Sequence, residues 1–333
     1  MRVKEAVDEY HFALLDKSPK TQDWFRIKLR QFSEWCEQEQ LELQDIRSAH
    51  VRKYIDYRRQ QGRIKQGKPT GEPLSTHSLH ADARVIKRFL YWCAKEDGIE
   101  DLVQMRVPQR IEMPKREEKV IEVFTPEQIK ALLAACEKEK DHHLAVRDKA
   151  IVLVLMDTGI RAGELLSLTK DCMFLRLDDA YLKVHGKGNK WREVPLGNQA
   201  RTALYRYVTR YRQAPDQEQH VFVGRWGRQM TVNGLDQMLR RLAEWGRVTG
   251  VRVSAHTFRH TFAVNYLTAS SDVYKLSRLM GHSEVKITEG YLKTVSAHAA
   301  RHFYCGYDAE WKSEEMVALD FPRKSSYACC ITR

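Results

Sequence analysis

The hydrophobic positions in the first hundred residues recur at the spacing of one face of an α-helix. The clearest series follows Ser18-Pro19, a typical helix start, and consists of Phe25, Leu29, Phe32 and Cys36. Further amphipathic stretches lie near residues 3–15, 48–60 and 79–93. We therefore predict a bundle of about four helices that forms a first domain over residues 1–105.

Residues 106–124 break this periodicity. They are rich in charge, contain two prolines and show no sustained hydrophobic period, which is typical of an extended linker. Thr125, Pro126 and Gln128 then supply a capping residue, a first-turn proline and a capping-box partner, which together are a strong helix start. We therefore predict a linker over 106–124 and a second domain that begins at residue 125.

The pattern of the second domain, residues 125–300, predicts mostly helices. An apolar helix over 145–158 ends at Gly159, and a short helix follows at 161–168. Two β-like runs flank the turn signal at 186–190 and lie at 181–185 and 191–196. Further helices are expected near residues 198–212, 231–248, 255–269, 272–280 and 284–291. The predicted fold class is mainly α with a small antiparallel β-sheet.

Composition narrows the class of protein. No apolar run approaches the roughly 20 residues that span a bilayer, and the acidic residues near the N-terminus are atypical of a signal peptide. The seven cysteines are scattered without a CxxC pair, which argues against a disulfide framework or a structural zinc site. We expect a cytoplasmic protein.

The charge balance points to a polyanion as partner. Lys and Arg number 56 against 44 Asp and Glu, for a formal net charge of +12. Residues 47–90 hold eleven Lys or Arg against three acids. The alternative is a solvated loop at 62–73 with ordinary polar helix faces. The DNA-binding candidates in this region are Arg52, Lys53, Arg58, Arg59, Arg63, Lys65, Lys68, Arg84, Lys87 and Arg88.

A first chemical motif lies where the apolar helix ends. Arg161 opens the next short helix, where its guanidinium could join the free backbone N–H groups in binding an anion. Glu164, three residues on, could hold that guanidinium in place. From these residues alone, a purely structural Arg–Glu pair explains the pattern equally well.

A second motif is the segment His256-Thr257-Phe258-Arg259-His260. The two histidines are four residues apart, a zinc-ligand spacing, but Thr257 stands where a zinc protease needs glutamate, so we predict no metal. A histidine and an arginine one turn apart suit phosphoryl chemistry, because one moves a proton and the other neutralises the phosphate. The alternative is that a helix-capping histidine and a surface arginine give the same sequence pattern by chance.

At Tyr291, nine residues after His282, the order of these residues resembles the tyrosine recombinase, or phage integrase, family. The matching segments are TGIRAGELLSL, GKGNKWREVPL, HTFRHTFA and MGHSEVKITEGY. The resemblance covers residues 125–293, and residues 1–120 are similar to the helical core-binding domain of the family. It therefore implies a helical core-binding domain followed by a tyrosine-recombinase catalytic domain.

The resemblance implies a role for each of six residues and one supporting residue. Tyr291 would attack a DNA phosphodiester and form a 3′-phosphotyrosyl link, which retains the bond energy and needs neither cofactor nor metal. Lys187 is preferred over Lys190 as the acid because it fits the Gly-Lys-Gly turn of the family. The remaining assignments are Arg161 and Arg259 on the phosphate oxygens, His256 on the proton of the nucleophile, His282 as a phosphate hydrogen bond, and Glu164 as support for Arg161.

The resemblance also implies biological roles and partners. We expect a site-specific recombinase that integrates or excises a mobile genetic element. It is expected to act as a homo-tetramer on double-stranded DNA sites, in some cases with accessory proteins. Its expected location is the nucleoid of a bacterium-like host. Chromosome-dimer resolution is the alternative. A type IB topoisomerase, with similar chemistry but no defined sites, and a catalytically silent DNA-binding regulator are weaker alternatives.

Two regions depart from the simplest pattern. Ser270-Ser271 stands where the family often has a glycine, and we expect a two-domain recombinase without the arm-binding domain of some family members. The tail over 301–333 is rich in apolar side chains, so it is expected to dock either on a neighbouring protomer or on its own chain.

Overall fold

The computed structural model describes residues 1–65, 68–115, 117, 121–186, 190–282 and 284–304. The side chains of residues 64–69, 293 and 296–304 are outside this description. Lys187 and most of the predicted tail therefore lie outside the described residues, as do the side chains of Lys65 and Lys68. The chain divides into two compact units, Met1–Lys119 and Val120–Arg333.

The first unit is a helical bundle with a short two-stranded hairpin in its basic loop. Ser18 accepts a hydrogen bond from the Thr21 backbone N–H, as predicted for the helix start, and Ser75 caps the last long helix in the same way. The elements are α1 (Val3–Phe12), α2 (Pro19–Gln38), α3 (Ser48–Gln61), β1 (Ile64–Lys65), β2 (Lys68–Pro69), α4 (Thr76–Cys93) and α5 (Arg106–Gln109).

The predicted start of the linker at residue 106 is wrong, because α5 belongs to the first unit. Val107 and Ile111 are four residues apart and both are buried in the core of the bundle. Pro108 is compatible with this short helix because the first turn of any helix leaves its N–H groups unpaired. Lys87 Nζ also donates a hydrogen bond to the carbonyl of Ile111 at 3.0 Å, which fastens the segment to α4.

The second unit is mainly helical around a three-stranded antiparallel sheet, as predicted for the fold class. The sheet has the order β3-β4-β5, and Gly186 pairs with Lys190 at the hairpin end. The elements are α6 (Pro126–Cys136), α7 (His142–Thr158), α8 (Ala162–Leu166), β3 (Met173–Leu175), β4 (Ala180–Gly186), β5 (Lys190–Pro195), α9 (Asn198–Arg206), α10 (Val232–Gly246), α11 (Ala255–Ser270), α12 (Val273–Met280) and α13 (Val285–Tyr304).

Three details of this unit differ from the prediction. The strand β3 was not expected, since three residues are too short for a period to show. The helix α9 ends at Arg206, and a π-helical turn follows over Tyr207–Tyr211. The helix α13 continues to Tyr304, past the predicted end at 291 and past the predicted start of the tail at 301.

The apolar helix α7 positions the site. It is buried along most of its length and ends at Gly159, whose φ of 58° is in the left-handed region that favours glycine. A Cβ at this position would collide with the ring of Phe262 on α11, so glycine lets the two helices approach closely. No helix in the described part of the chain is both long and apolar enough to cross a membrane.

Candidate active site

Two arginines meet at the carboxyl end of α12. Gly281 ends this helix with a φ of 64°, which leaves the last carbonyl oxygens accessible. The carbonyl of Met280 accepts hydrogen bonds from Arg161 Nη1 at 3.3 Å and from Arg259 Nη2 at 2.7 Å, and the carbonyl of Gly281 accepts from Arg161 Nη2 at 3.2 Å. The partial negative charge of a helix C-terminus stabilises two cations side by side.

Glu164 accepts a hydrogen bond from Arg161, and it also binds a second arginine, Arg192, which the sequence did not single out. Its Oε1 accepts from Arg161 Nη1 at 2.9 Å, and both its oxygens accept from Arg192 at 2.8 and 3.0 Å. Arg192 Nε also donates to the carbonyl of Leu279 at 2.7 Å. Burial alone would raise the pKa of Glu164, but the hydrogen bonds from Arg192 and Arg161 outweigh burial and lower it.

A signal for Arg192 was present in the sequence. It lies two residues before the buried Val194 on β5, so both side chains point to the same face of the sheet. A charged residue on the inward face of a strand requires a buried partner, which here is Glu164. Arg192 thereby connects strand β5 to α8 and α12.

Arg259 is almost completely buried. Its residue exposure is 3%, and its Nη1 donates to the carbonyl of Gly159 at 2.8 Å. Burial and the charge of Arg161 lower its pKa to about 10, so the guanidinium remains protonated at neutral pH. Arg161, whose side chain is 40% exposed, is the more accessible of the two.

His282 contacts Arg259 directly. Arg259 Nη2 lies 2.9 Å from His282 Nε2, and a guanidinium can only donate, so Nε2 accepts this hydrogen bond. The proton of the neutral ring is therefore on Nδ1, which donates to Thr288 Oγ1 at 2.7 Å. Burial and the charges of Arg259 and Arg161 lower the pKa of His282 to about 4, which keeps the ring neutral.

Tyr291 lies on α13 with its hydroxyl against a histidine of α11. The residue is 4% exposed, and its Oη is 2.9 Å from Nδ1 of His260. Burial raises the pKa of Tyr291 more than Arg259 and Arg161 lower it, so the hydroxyl is protonated at neutral pH.

The structure places His260, not His256, on the hydroxyl of Tyr291. His256 is one turn away on α11, and its ring packs edge-on against that of His260 with centroids 4.1 Å apart. Burial, followed by the charges of Arg259 and Arg161, lowers the pKa of His256. The available signal for His260 was its spacing from His256, which placed both rings on one face of the helix.

Lys187 and its alternative Lys190 are not distinguished by the structure, since Lys187 lies outside the described residues. Lys190 begins β5 and is exposed. Ser271, in the segment where the family often has a glycine, has a left-handed φ of 52°, a conformation that favours glycine. In the described part of the chain, no group of three or more His, Cys, Asp or Glu could hold a metal ion.

Among the DNA-binding candidates, Arg58 is buried and is a structural residue, which corrects its assignment. Its Nε donates to Asp82 Oδ2 at 3.2 Å, and Asp82 also pairs with Lys28. Asp82 was the one polar member of an otherwise apolar helix face, and its buried carboxylate requires a cationic partner. Arg58 supplies that partner from α3.

The side chains of the other described DNA-binding candidates differ in the groups that they contact. Arg84 and Arg88 are exposed and lie over the rings of Trp24 and Phe25 at 5.5 and 5.7 Å, which leaves their charges accessible. Three candidates form exposed ion pairs, Arg59 with Asp56 at 2.6 Å, Arg63 with Glu72 at 2.9 Å and Arg52 with Glu112 at 4.0 Å. The remaining described candidates are Lys87, which binds the Ile111 carbonyl, and the exposed Lys53.

Comparison with known proteins gives concordant matches. The phage integrase family matches residues 122–298. The XerC tyrosine recombinase of Leptospira interrogans is 30% identical over 292 residues, which cover 86% of each chain. The XerD tyrosine recombinase of Shewanella oneidensis is 29% identical over 293 residues, which cover 85% of this chain and 87% of that one.

Solved structures share the fold. XerH site-specific recombinase bound to a palindromic difH substrate matches with a TM-score of 0.71 and 15% identity over 89% of this chain and 82% of that chain. The Tn1549 transposon integrase in complex with circular intermediate DNA matches with a TM-score of 0.68 and 16% identity over 90% and 99%. Together, the sequence matches and the fold define a tyrosine recombinase, an enzyme that cleaves and religates DNA. The chain belongs to the phage integrase family.

Proposed function

We propose that this protein carries out site-specific recombination with Tyr291 as its nucleophile. One observation carries the assignment: the buried Tyr291 hydroxyl lies 2.9 Å from His260 on α11, the helix whose Arg259 binds the end of α12 together with Arg161. The tyrosine oxygen gives its proton to a histidine of α11 and forms a bond to phosphorus, and the bond from phosphorus to the 5′ oxygen breaks. The 5′ oxygen takes a proton from Lys187, and the product is a 3′-phosphotyrosine with a free 5′-hydroxyl. The reverse steps rejoin the strand.

Arg161 and Arg259 stabilise the charge that develops on the phosphate oxygens. Both guanidiniums are fixed by backbone carbonyls, so they need little reorganisation during the reaction. A phosphodiester anion beside His282 raises the pKa of that ring, since a nearby negative charge favours the protonated form. Nε2 takes a proton from solvent, gives up the hydrogen bond from Arg259 and donates to a phosphate oxygen. None of these steps uses a cofactor.

The proposed partner is double-stranded DNA bearing recombination sites. Residues of the first unit bind the DNA backbone, with Arg84 and Arg88 as the best-placed candidates because their charges are exposed on aromatic rings. We propose that four copies assemble on two sites, with accessory proteins where a host supplies them. This reaction takes place in the cytoplasm, where the nucleoid is accessible.

Two biological roles are compatible with this chemistry. Integration or excision of a mobile element is our first proposal, based on the basic segment 62–73. Chromosome-dimer resolution is the second, and the specific observation in its favour is the similarity to XerC and XerD recombinases over most of the chain. The DNA sequence that the protein cleaves distinguishes the two.

Covalent capture on genomic DNA tests this proposal. The protein is incubated with nicked fragments of its source genome, and the DNA in detergent-resistant complexes is sequenced. Recurring sites at the ends of a mobile element support the first role, whereas one chromosomal site per replicon supports the second. Adducts spread over unrelated sequences contradict site-specific recombination and favour the topoisomerase alternative.

A further inference from the structure

Two histidines of α11 lie near the proposed nucleophile, and they are not equivalent. His260 Nδ1 is 2.9 Å from the hydroxyl oxygen of Tyr291, whereas His256 contacts the His260 ring edge-on. His260 is partly buried and His256 is exposed. The geometry therefore separates a residue that touches the reacting atom from one that touches only its neighbour.

The direction of this hydrogen bond follows from the groups around it. The charged groups near the hydroxyl are Arg259 and Arg161, which can only donate, so they offer no acceptor for the tyrosine proton. Burial and the neighbouring His256 and Arg259 lower the pKa of His260 to about 4, so its ring is neutral at neutral pH. A neutral ring has one unprotonated nitrogen. The buried hydroxyl is satisfied when that nitrogen is Nδ1 and the hydroxyl donates to it.

We infer that His260 is a catalytic residue that takes the proton of the Tyr291 hydroxyl as the tyrosine attacks DNA, an inference that rests on the proposed function. The O–H bond of Tyr291 breaks, a bond from Nδ1 of His260 to hydrogen forms, and the tyrosine oxygen bonds to phosphorus. The 5′ oxygen leaves with a proton from Lys187. During religation His260 returns its proton to the tyrosine oxygen.

The charges of the site agree with this step. Proton transfer makes the His260 ring positive at the moment when the phosphorus centre gains negative charge, so the two new charges attract each other. The groups that face His260 are His256 and Arg259 on its own helix and Tyr291 on α13, with Arg161 within reach of the hydroxyl. The positive charges of Arg259 and Arg161 disfavour protonation of His260 until a bound phosphate neutralises them.

The first arm of the test uses the full chain without DNA. In ¹⁵N-histidine NMR spectra, Nδ1 of His260 should report an unprotonated, hydrogen-bonded nitrogen, with the proton on Nε2. Tyr291→Phe should shift the Nδ1 resonance of His260 and leave that of His256 nearly unchanged. A protonated Nδ1 at neutral pH, or no response to Tyr291→Phe, would overturn the inference regardless of what the protein does to DNA.

The second arm compares His260→Asn with the matched variant His256→Asn on nicked duplexes that carry the captured site. Asparagine can accept the hydroxyl hydrogen bond but cannot take the proton. Single-turnover adduct formation by His260→Asn should be slower by about 10²–10⁴-fold. Its rate should rise about tenfold per pH unit between about pH 6 and pH 9, because the tyrosine must lose its proton to solvent first. The unmodified protein and His256→Asn should show no such dependence.

A rescue excludes a merely structural role for His260. Fluorinated tyrosines at position 291 have a lower pKa and should restore part of the His260→Asn rate while leaving the unmodified protein little changed. If the adduct-formation rate of His256→Asn instead rises with pH and is restored by fluorinated tyrosine, the proton goes to His256 and the inference is wrong. If the unmodified protein forms no adduct on any DNA, the proposed function fails and the catalytic role of His260 fails with it, whereas failure of the NMR arm with normal adduct formation overturns only the inference about His260.

Discussion

Glu164 is the residue that joins the two sides of the proposed site. Its carboxylate is 6% exposed and accepts hydrogen bonds from Arg161 on one side and Arg192 on the other. Removing the carboxylate leaves Arg192, whose side chain is only 13% exposed, without its acidic partner. Breaking one partner of a buried ion pair is far more costly than losing an exposed pair.

Glu164→Gln should therefore lower the free energy of unfolding by about 3 kcal/mol at neutral pH. The pKa of Glu164 is below its ordinary value, so its stabilisation is complete above about pH 4 and is lost as pH falls through the lowered pKa. Urea unfolding at neutral and acidic pH measures both effects. The difference between the two proteins should narrow in acid; a constant difference would contradict the role of the charge. Glu193→Gln, on the exposed face of β5, is the control.

Arg192 acts through the groups that it positions. Lysine at this position keeps the charge but cannot bind both oxygens of Glu164 and the Leu279 carbonyl at once. Arg192→Lys should slow covalent adduct formation by about tenfold or more while leaving DNA affinity unchanged, because the substitution disturbs the orientation of the groups that Arg192 positions. Adduct kinetics and a binding assay measure the two quantities, with the exposed Arg210→Lys as control. Equal losses in both assays would contradict a positioning role.

At the scale of elements, the turn after α12 determines where the arginines bind. Gly281 has a left-handed φ, and a Cβ there would lie 2.9 Å from Arg192 Nη1. An alanine at this position therefore strains the backbone and also displaces a side chain of the site. Gly250 provides a comparison, because its φ of 78° carries the same backbone preference with nothing within 4 Å of the added Cβ.

Gly281→Ala and Gly250→Ala should each lower the free energy of unfolding by about 1 kcal/mol, the ordinary cost of a left-handed alanine. Only Gly281→Ala should also slow adduct formation, since only it moves Arg192. Thermal or urea unfolding gives the first quantity and adduct kinetics the second. Equal activities for the two variants would show that the turn does not support the chemistry.

In the first unit, α3 and α4 are joined by a buried ion pair rather than by apolar contacts alone. Arg58→Ala leaves the buried Asp82 with one cationic partner fewer and should lower the free energy of unfolding by about 3 kcal/mol. The neighbouring Arg59→Ala removes an exposed pair and should change it by less than about 0.5 kcal/mol. Urea unfolding compares them, and similar values would contradict the structural assignment of Arg58.

At the scale of the whole molecule, the net charge of +12 predicts salt-sensitive DNA binding. Replacing Arg84 and Arg88 together by alanine should weaken binding similarly on all DNA sequences. It should also reduce the slope of log affinity against log salt by about one for each phosphate that the protein no longer neutralises. Fluorescence anisotropy across a salt series measures the slope, with Arg2→Ala as an exposed control. An unchanged slope would remove these arginines from the interface.

Much of the fold was predictable because its signals are local. Thr125 and Gln128 form the capping box that their spacing indicated, and the hairpin β4–β5 pairs around the predicted turn. Contacts between distant residues were not predictable in this way. The partner of Arg58 is 24 residues away and that of His260 is 31 residues away, and no period in one sequence relates such positions. The short helix α5 was not predicted because charged residues and two prolines interrupt the hydrophobic pattern of this segment. Its two buried side chains are too few to show a helical period.

The most direct measurement for the proposed mechanism is the identity of the residue that becomes bonded to DNA. Covalent complexes are isolated, digested with nuclease and protease, and the modified peptide is located by mass spectrometry. The mechanism predicts a phosphonucleotide on Tyr291, no adduct from Tyr291→Phe, and unchanged DNA binding by that variant. Tyr274→Phe, which alters an exposed tyrosine of α12, should form the adduct normally. A modified residue other than Tyr291, or an adduct that survives Tyr291→Phe, would contradict the proposed mechanism.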